Sequence, residues 1–204
     1  MNHLLVLPVR ARAVYVLAHG AGAGMRHPFM EAITRALESL AVGTLRYEFP
    51  YMEKKSRRPD APAVAVARVR EAVEEAARVA PGVPLIAGGK SFGGRMTSTA
   101  QAEEPLPGVR GLAFLGFPLH PPGKPGIERA AHLERVGVPM LFLQGTGDDF
   151  ARLDLLRPVV EGLGPRAALH LVEGGDHSFK VPKRLPADVI GGLAGVIADW
   201  SARL

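Results

Sequence analysis

Residues 13–18, Ala13-Val14-Tyr15-Val16-Leu17-Ala18, form an unbroken apolar run. Such a run fits a strand buried on both faces of a parallel sheet. Short, largely apolar runs recur at 85–90, 111–115, 139–144 and 167–172, and 44–49, with Arg46 and Glu48 in it, and the start of the chain, 1–8, read as further strands. The segments between them change to helical spacing. Phe29, Ile33, Leu37 and Leu40 share one face of a helix that opens near Pro28 and stops at Gly43. Val66, Val69, Val73, Ala76 and Ala77 do the same over 63–80, and Val189, Leu193, Val196, Ile197 and Trp200 over 186–202. Shorter helices are expected after residue 91 to about 103, over 127–136 and over 154–163, with Pro158 in or near the first turn of the last. Strand and helix alternate throughout, with no internal repeat, linker or low-complexity tract. This predicts an α/β fold, one doubly wound and mainly parallel sheet flanked by helices, in a single domain over 1–204. In such sheets ligands bind at the edge formed by the strand C-termini.

One of those edges carries chemistry. Leu85-Ile86-Ala87-Gly88-Gly89-Lys90-Ser91-Phe92-Gly93-Gly94 is an apolar strand, a glycine-crowded turn with one serine, and the start of a helix. Gly89-Lys90-Ser91-Phe92-Gly93 fits the G-x-S-x-G nucleophile elbow, where a Cβ on either glycine would collide with the flanking elements. Two later loops supply Asp148 and His177, in the order Ser…Asp…His expected of α/β-hydrolases. A serine hydroxyl needs a base within hydrogen-bond reach, and imidazole titrates near working pH. Ser91, His177 and Asp148 are therefore the candidate nucleophile, base and orienting acid. Asp149 is the rival acid, Asp154 reads as a helix cap, and Asp176 reads as a loop-shaping residue. The backbone N–H groups of Phe92 and Ala21 are the expected oxyanion donors, with Gly22 as a second choice beside Ala21. Gly22, Tyr51 and His120 lie on loops of the same edge and are candidate substrate contacts. His19 is expected to buttress the loop 19–24, and Lys90 to be structural.

Composition narrows the partners. There is no cysteine, which excludes disulfides, thiolate metal sites and a cysteine nucleophile. The seven histidines show no metal-ligand spacing, so neither metal nor cofactor is expected. No apolar run approaches the roughly 20 residues that span a membrane, and the start lacks a basic region before its apolar stretch, so a cytoplasmic protein is expected. The net charge of +5 fits an arginine-rich sequence without a charged partner, and the loop Lys54, Lys55, Arg57, Arg58 reads first as a solvated face, with steering of an anionic ester or acyl substrate to the site as the sharper alternative. Nucleic acid is the weaker reading of the charge. One asparagine and two glutamines, with many prolines and arginines, point to a thermostable protein from a thermophile or to a GC-rich genome.

The chain resembles the dienelactone-hydrolase-like α/β-hydrolases, and within them the family of the testis-expressed 30 protein and the KAT8 regulatory NSL complex subunit 3 domain. The resemblance runs through His19-Gly20-Ala21-Gly22-Ala23-Gly24, Phe49-Pro50-Tyr51-Met52, Arg57-Arg58-Pro59-Asp60 and Gly89-Lys90-Ser91-Phe92-Gly93-Gly94-Arg95. It continues through Phe117-Pro118-Leu119-His120-Pro121-Pro122-Gly123-Lys124-Pro125, Gln144-Gly145-Thr146-Gly147-Asp148 and Gly175-Asp176-His177-Ser178-Phe179. Phe92 and Gly147 depart from the residues usual at their places. The resemblance implies a hydrolase fold with a complete triad and no particular substrate, and some members of the group serve as complex subunits. Residues 116–138 leave room for a loop and one short helix only. No lid and an open, shallow site for small esters or thioesters are expected. The competing reading is a non-catalytic scaffold of the same fold with a basic surface.

Overall fold

The structure is a computed structural model and describes residues 1–56 and 58–204. Arg57 of the basic loop lies outside the described residues. In chain order the elements are β1 (His3–Val6), β2 (Ala13–Ala18), α1 (Pro28–Ser39), β3 (Val42–Tyr47), α2 (Pro50–Glu53) and α3 (Pro62–Val79). There follow β4 (Leu85–Lys90), α4 (Phe92–Glu103), β5 (Val109–Leu115), a 3-10 helix (Glu128–Arg135) and β6 (Met140–Gly145). The chain ends with α5 (Leu153–Gly162), a 3-10 turn (Gly164–Arg166), β7 (Ala167–Val172) and α6 (Pro186–Ser201). The seven strands form one sheet in the order β1-β3-β2-β4-β5-β6-β7, and only β1 runs antiparallel, against β3.

Alternation along each strand builds two cores. Val14 and Val16 of β2 face α3 and α4, where Val69, Val73, Met96 and Ala100 close one layer. Tyr15 and Leu17 face α1 and α6, where Ile33, Leu37, Leu193 and Ile197 close the other. With both faces covered, the strands need no polar face, which is why the sequence shows runs rather than alternation.

The structure moves several boundaries: the strand expected over 44–49 covers Val42–Tyr47, and the one expected over 1–8 covers His3–Val6. Gly43 does not end α1; it lies inside β3, and the helix stops at Ser39 with Ala41 at φ 59°. A Cβ on Gly43 would meet Val6 O at 3.1 Å and the Val14 side chain at 3.2 Å, so the glycine serves close strand packing. The stretch after Pro50, expected as loop, opens with the short α2. The helix expected over 127–136 is 3-10 in form. Between β5 and β6 the chain makes only a proline-rich loop and that 3-10 helix, so no lid is inserted there.

Candidate active site

The turn between β4 and α4 is held by contacts that exclude side chains. A Cβ on Gly89 would stand 2.2 Å from Ala18 O, and one on Gly93 2.5 Å from His19 O. This brings the elbow against the end of β2. Ser91 itself takes φ 49°, ψ −116°, a strained conformation for a residue with a Cβ. The strain turns Oγ out of the sheet edge, and Phe92 becomes the first residue of α4, where the N–H has no partner within the helix.

Ser91 Oγ lies 2.9 Å from His177 Nε2, and His177 Nδ1 lies 2.7 Å from Asp148 Oδ2. These three groups come from the turns after β4, β7 and β6. Asp148 is buried and saturated with donors: Phe150 N–H donates to Oδ1, and Gln144 Nε2 donates to Oδ2. Such a shell fixes the orientation of its two oxygens. Phe150 then stacks on the imidazole at 4.2 Å between ring centroids. Asp149, the rival acid, is exposed. Asp176 caps its own loop, its Oδ1 accepting from the N–H groups of Ser178 and Lys180. Asp154 pairs with Arg152.

The loop after β2 approaches the serine, since a Cβ on Gly20 would stand 3.7 Å from Ser91 Cβ. Gly20, Ala21 and Ser91 line one cleft. Several groups hold this loop from behind. Gly22 N–H donates to the Tyr51 hydroxyl at 2.8 Å, and Met25 N–H donates to Glu48 Oε1 at 3.1 Å. Arg46 donates to Met25 O at 2.9 Å. His19 is fully buried; its Nδ1 donates to Gly20 O at 2.7 Å and its Nε2 lies 3.2 Å from Glu48 Oε2. Although Glu48 is partly desolvated, the adjacent His19 ring and the Met25 N–H hold its carboxyl below the usual range.

Three residues expected at the substrate are placed elsewhere. Gly22 spends its N–H on Tyr51, and Tyr51 is buried with its hydroxyl turned to that loop. His120 is buried, with Nδ1 donating to Pro121 O at 2.9 Å and Nε2 accepting from Arg152 N–H at 3.1 Å. None of the three lines the cleft beside Ser91. Lys54, Lys55 and Arg58 do not line it either.

The cleft, of about 730 Å³, is larger than the shallow site expected. It opens on the α1 and α6 side of the sheet. The Phe29 and Phe179 rings stack at 5.9 Å, and Val181, Pro186 and Ile190 extend the wall. This relief comes from the segment between β7 and α6, not from an insertion between β5 and β6. Lys90 also lines the cleft; its Nζ donates to His177 O and sits 5.3 Å from the Phe179 ring centroid. Burial pushes its ammonium down to about 8, against the opposing pull of Asp148 and Asp176. Gln144, Phe150, Phe179 and Lys90 were not assigned to the site from the sequence. Gln144 left a trace there, as a polar side chain ending a strand with no room for solvent.

A second serine–histidine contact has a different character. Ser98 Oγ is 2.7 Å from His132 Nε2, but Ser98 is fully buried in α4 and also donates to Arg95 O. Burial, with Arg95 and Arg135 nearby, pushes His132 down to about 4. The pair ties the 3-10 helix to α4. A histidine neutral in the fold and protonated when unfolded stabilises fully above pH ~6.5. That contribution is lost as pH falls through about 4. With the ring partly solvated, the expected loss is on the order of 2 kcal/mol. Urea unfolding at pH 7 and pH 4.5 should show a smaller pH difference for His132→Gln than for wild type.

The alpha/beta hydrolase domain family matches residues 11–201. Among solved structures, a dienelactone hydrolase from Anabaena variabilis superposes with TM-score 0.75 at 19% identity, covering 97% of this chain and 89% of that one. A serine hydrolase from Xanthomonas campestris described as lacking a lid gives 0.76 at 19%, covering 97% and 88%. Est1E from Butyrivibrio proteoclasticus, with ferulic acid bound, gives 0.78 at 14%, covering 100% and 96%. At these identities the structural matches speak for the fold.

Proposed function

The chain belongs to the alpha/beta hydrolase domain family, and from that premise we propose that it is a serine hydrolase cleaving carboxylic esters or thioesters. The observation that carries the reading is the continuous relay Ser91 Oγ–His177–Asp148 at 2.9 and 2.7 Å, opening into a cleft. A structural serine would not need a strained backbone to present its hydroxyl there.

Ser91 Oγ attacks the carbonyl carbon while His177 Nε2 takes its proton. The oxygen that becomes negative is met by the N–H groups of Phe92 and Ala21, each worth about 3 kcal/mol of barrier. Asp148 holds the Nδ1–H tautomer and stabilises the imidazolium. The imidazolium then protonates the departing alcohol or thiol, leaving an acyl-enzyme. Water, deprotonated by His177, attacks the acyl carbon, and the proton returns to Ser91 as the acid leaves. No cofactor takes part. We read residues 1–204 as one domain, and its motifs resemble those of the testis-expressed 30 and NSL complex subunit 3 proteins.

Intact mass after incubation with a fluorophosphonate probe tests this. Wild type should gain one adduct that Ser91→Ala does not. A folded wild type that stays unlabelled would overturn the reading.

A further inference from the structure

We propose that the cleft beside Ser91 takes an ester or thioester whose apolar chain ends in an anion, held at the rim by Lys180 and Arg184. This rests on the hydrolase reading and names its substrate class. The residues lining the cleft include Lys90, Lys180 and Arg184 and no aspartate or glutamate. None of these three cations pairs with a carboxylate among the described residues. The acids nearest Lys90 are committed elsewhere, Asp148 to His177 and Asp176 to the N–H groups of its loop.

The cations lie at two depths. Lys90 is at the inner end beside the nucleophile, its ammonium using one donor on His177 O. Lys180 and Arg184 are exposed at the outer end. Phe29, Phe179, Val181 and Ile190 line the cleft with them. An apolar spacer can cover that wall and place its terminal charge at the rim. A fully apolar chain would bury the same wall and gain nothing from the cations. The field of Lys90 adds to the attraction from within, where low dielectric weakens screening. The shared chemistry is a terminal anion, carboxylate or phosphate.

The test uses matched 4-nitrophenyl esters: the monoester of suberic acid, its phosphate-ended counterpart, and the neutral methyl ester of the first. Wild type is expected to favour one or both anions by about tenfold in kcat/KM, a preference that shrinks with added salt. The double variant Lys180→Gln/Arg184→Gln should bring the anionic and neutral esters close to parity. Lys54→Gln/Lys55→Gln makes the same change of charge outside the cleft and should keep the preference. Parity in wild type, or equal loss in both double variants, overturns the proposal. If the fluorophosphonate adduct forms and parity is found, only the anion assignment falls. If neither adduct nor turnover appears, the hydrolase reading falls and takes this one with it.

Discussion

Asp148→Asn is expected to lower kcat by roughly ten-thousand-fold while leaving the fold intact. The carboxylate accepts from three directions: Phe150 N–H, Gln144 Nε2 and His177 Nδ1. An asparagine has one acceptor oxygen and one donor nitrogen. With the oxygen kept on Phe150 N–H, the amide nitrogen faces His177 and Gln144. It then donates to Nδ1, which selects the tautomer carrying hydrogen on Nε2. That hydrogen points at Ser91 Oγ, so the imidazole can no longer take the serine proton. The volume and packing are unchanged, which separates this outcome from unfolding. Initial rates on an activated ester, with circular dichroism as the control, check it. A loss within tenfold would mean that another acid supports His177.

Gly89→Ala is expected to cost at least about 4 kcal/mol and to prevent stable folding. The added methyl would lie 2.2 Å from Ala18 O and 2.7 Å from Ala18 N, both backbone atoms of the neighbouring strand. Neither can withdraw without breaking the β2–β4 ladder, and φ 143° is a conformation that alanine avoids. Gly162→Ala in α5 is the contrast, since its methyl would meet nothing within 4 Å. Chemical denaturation of the two variants should show one lost and one near wild type.

The sheet was legible because burial on both faces leaves long apolar runs, and the helix periods between them are strong. Boundaries failed where glycine had two meanings. Gly43 looked like a helix stop, yet it is a strand residue held by the close approach of Val6 and Val14. At the site, Ser91, Asp148 and His177 could be nominated because strand ends and chain order are visible in sequence. The cleft wall could not be, because Phe29 and Phe179 meet only once α1 and the loop after β7 are folded side by side. For the same reason Tyr51 and His120 could be given an edge but not a direction. Their side chains turn inward to satisfy loop backbone groups, a demand set by burial rather than by spacing.

The distance along the chain between Ser91 and His177, the base proposed for it, has a consequence for synthesis. Ser91 lies 86 residues before His177, and Asp148 is 29 residues before it. During translation the elbow can form on β2, β4 and β5 while the chain carrying β6 and β7 is still inside the ribosome. Parallel pairings of this kind close late, because long loops must be ordered first. The nascent serine therefore has no base to take its proton until the last strands dock. Nascent chains arrested before residue 177 would resist acylation even with a native-like elbow.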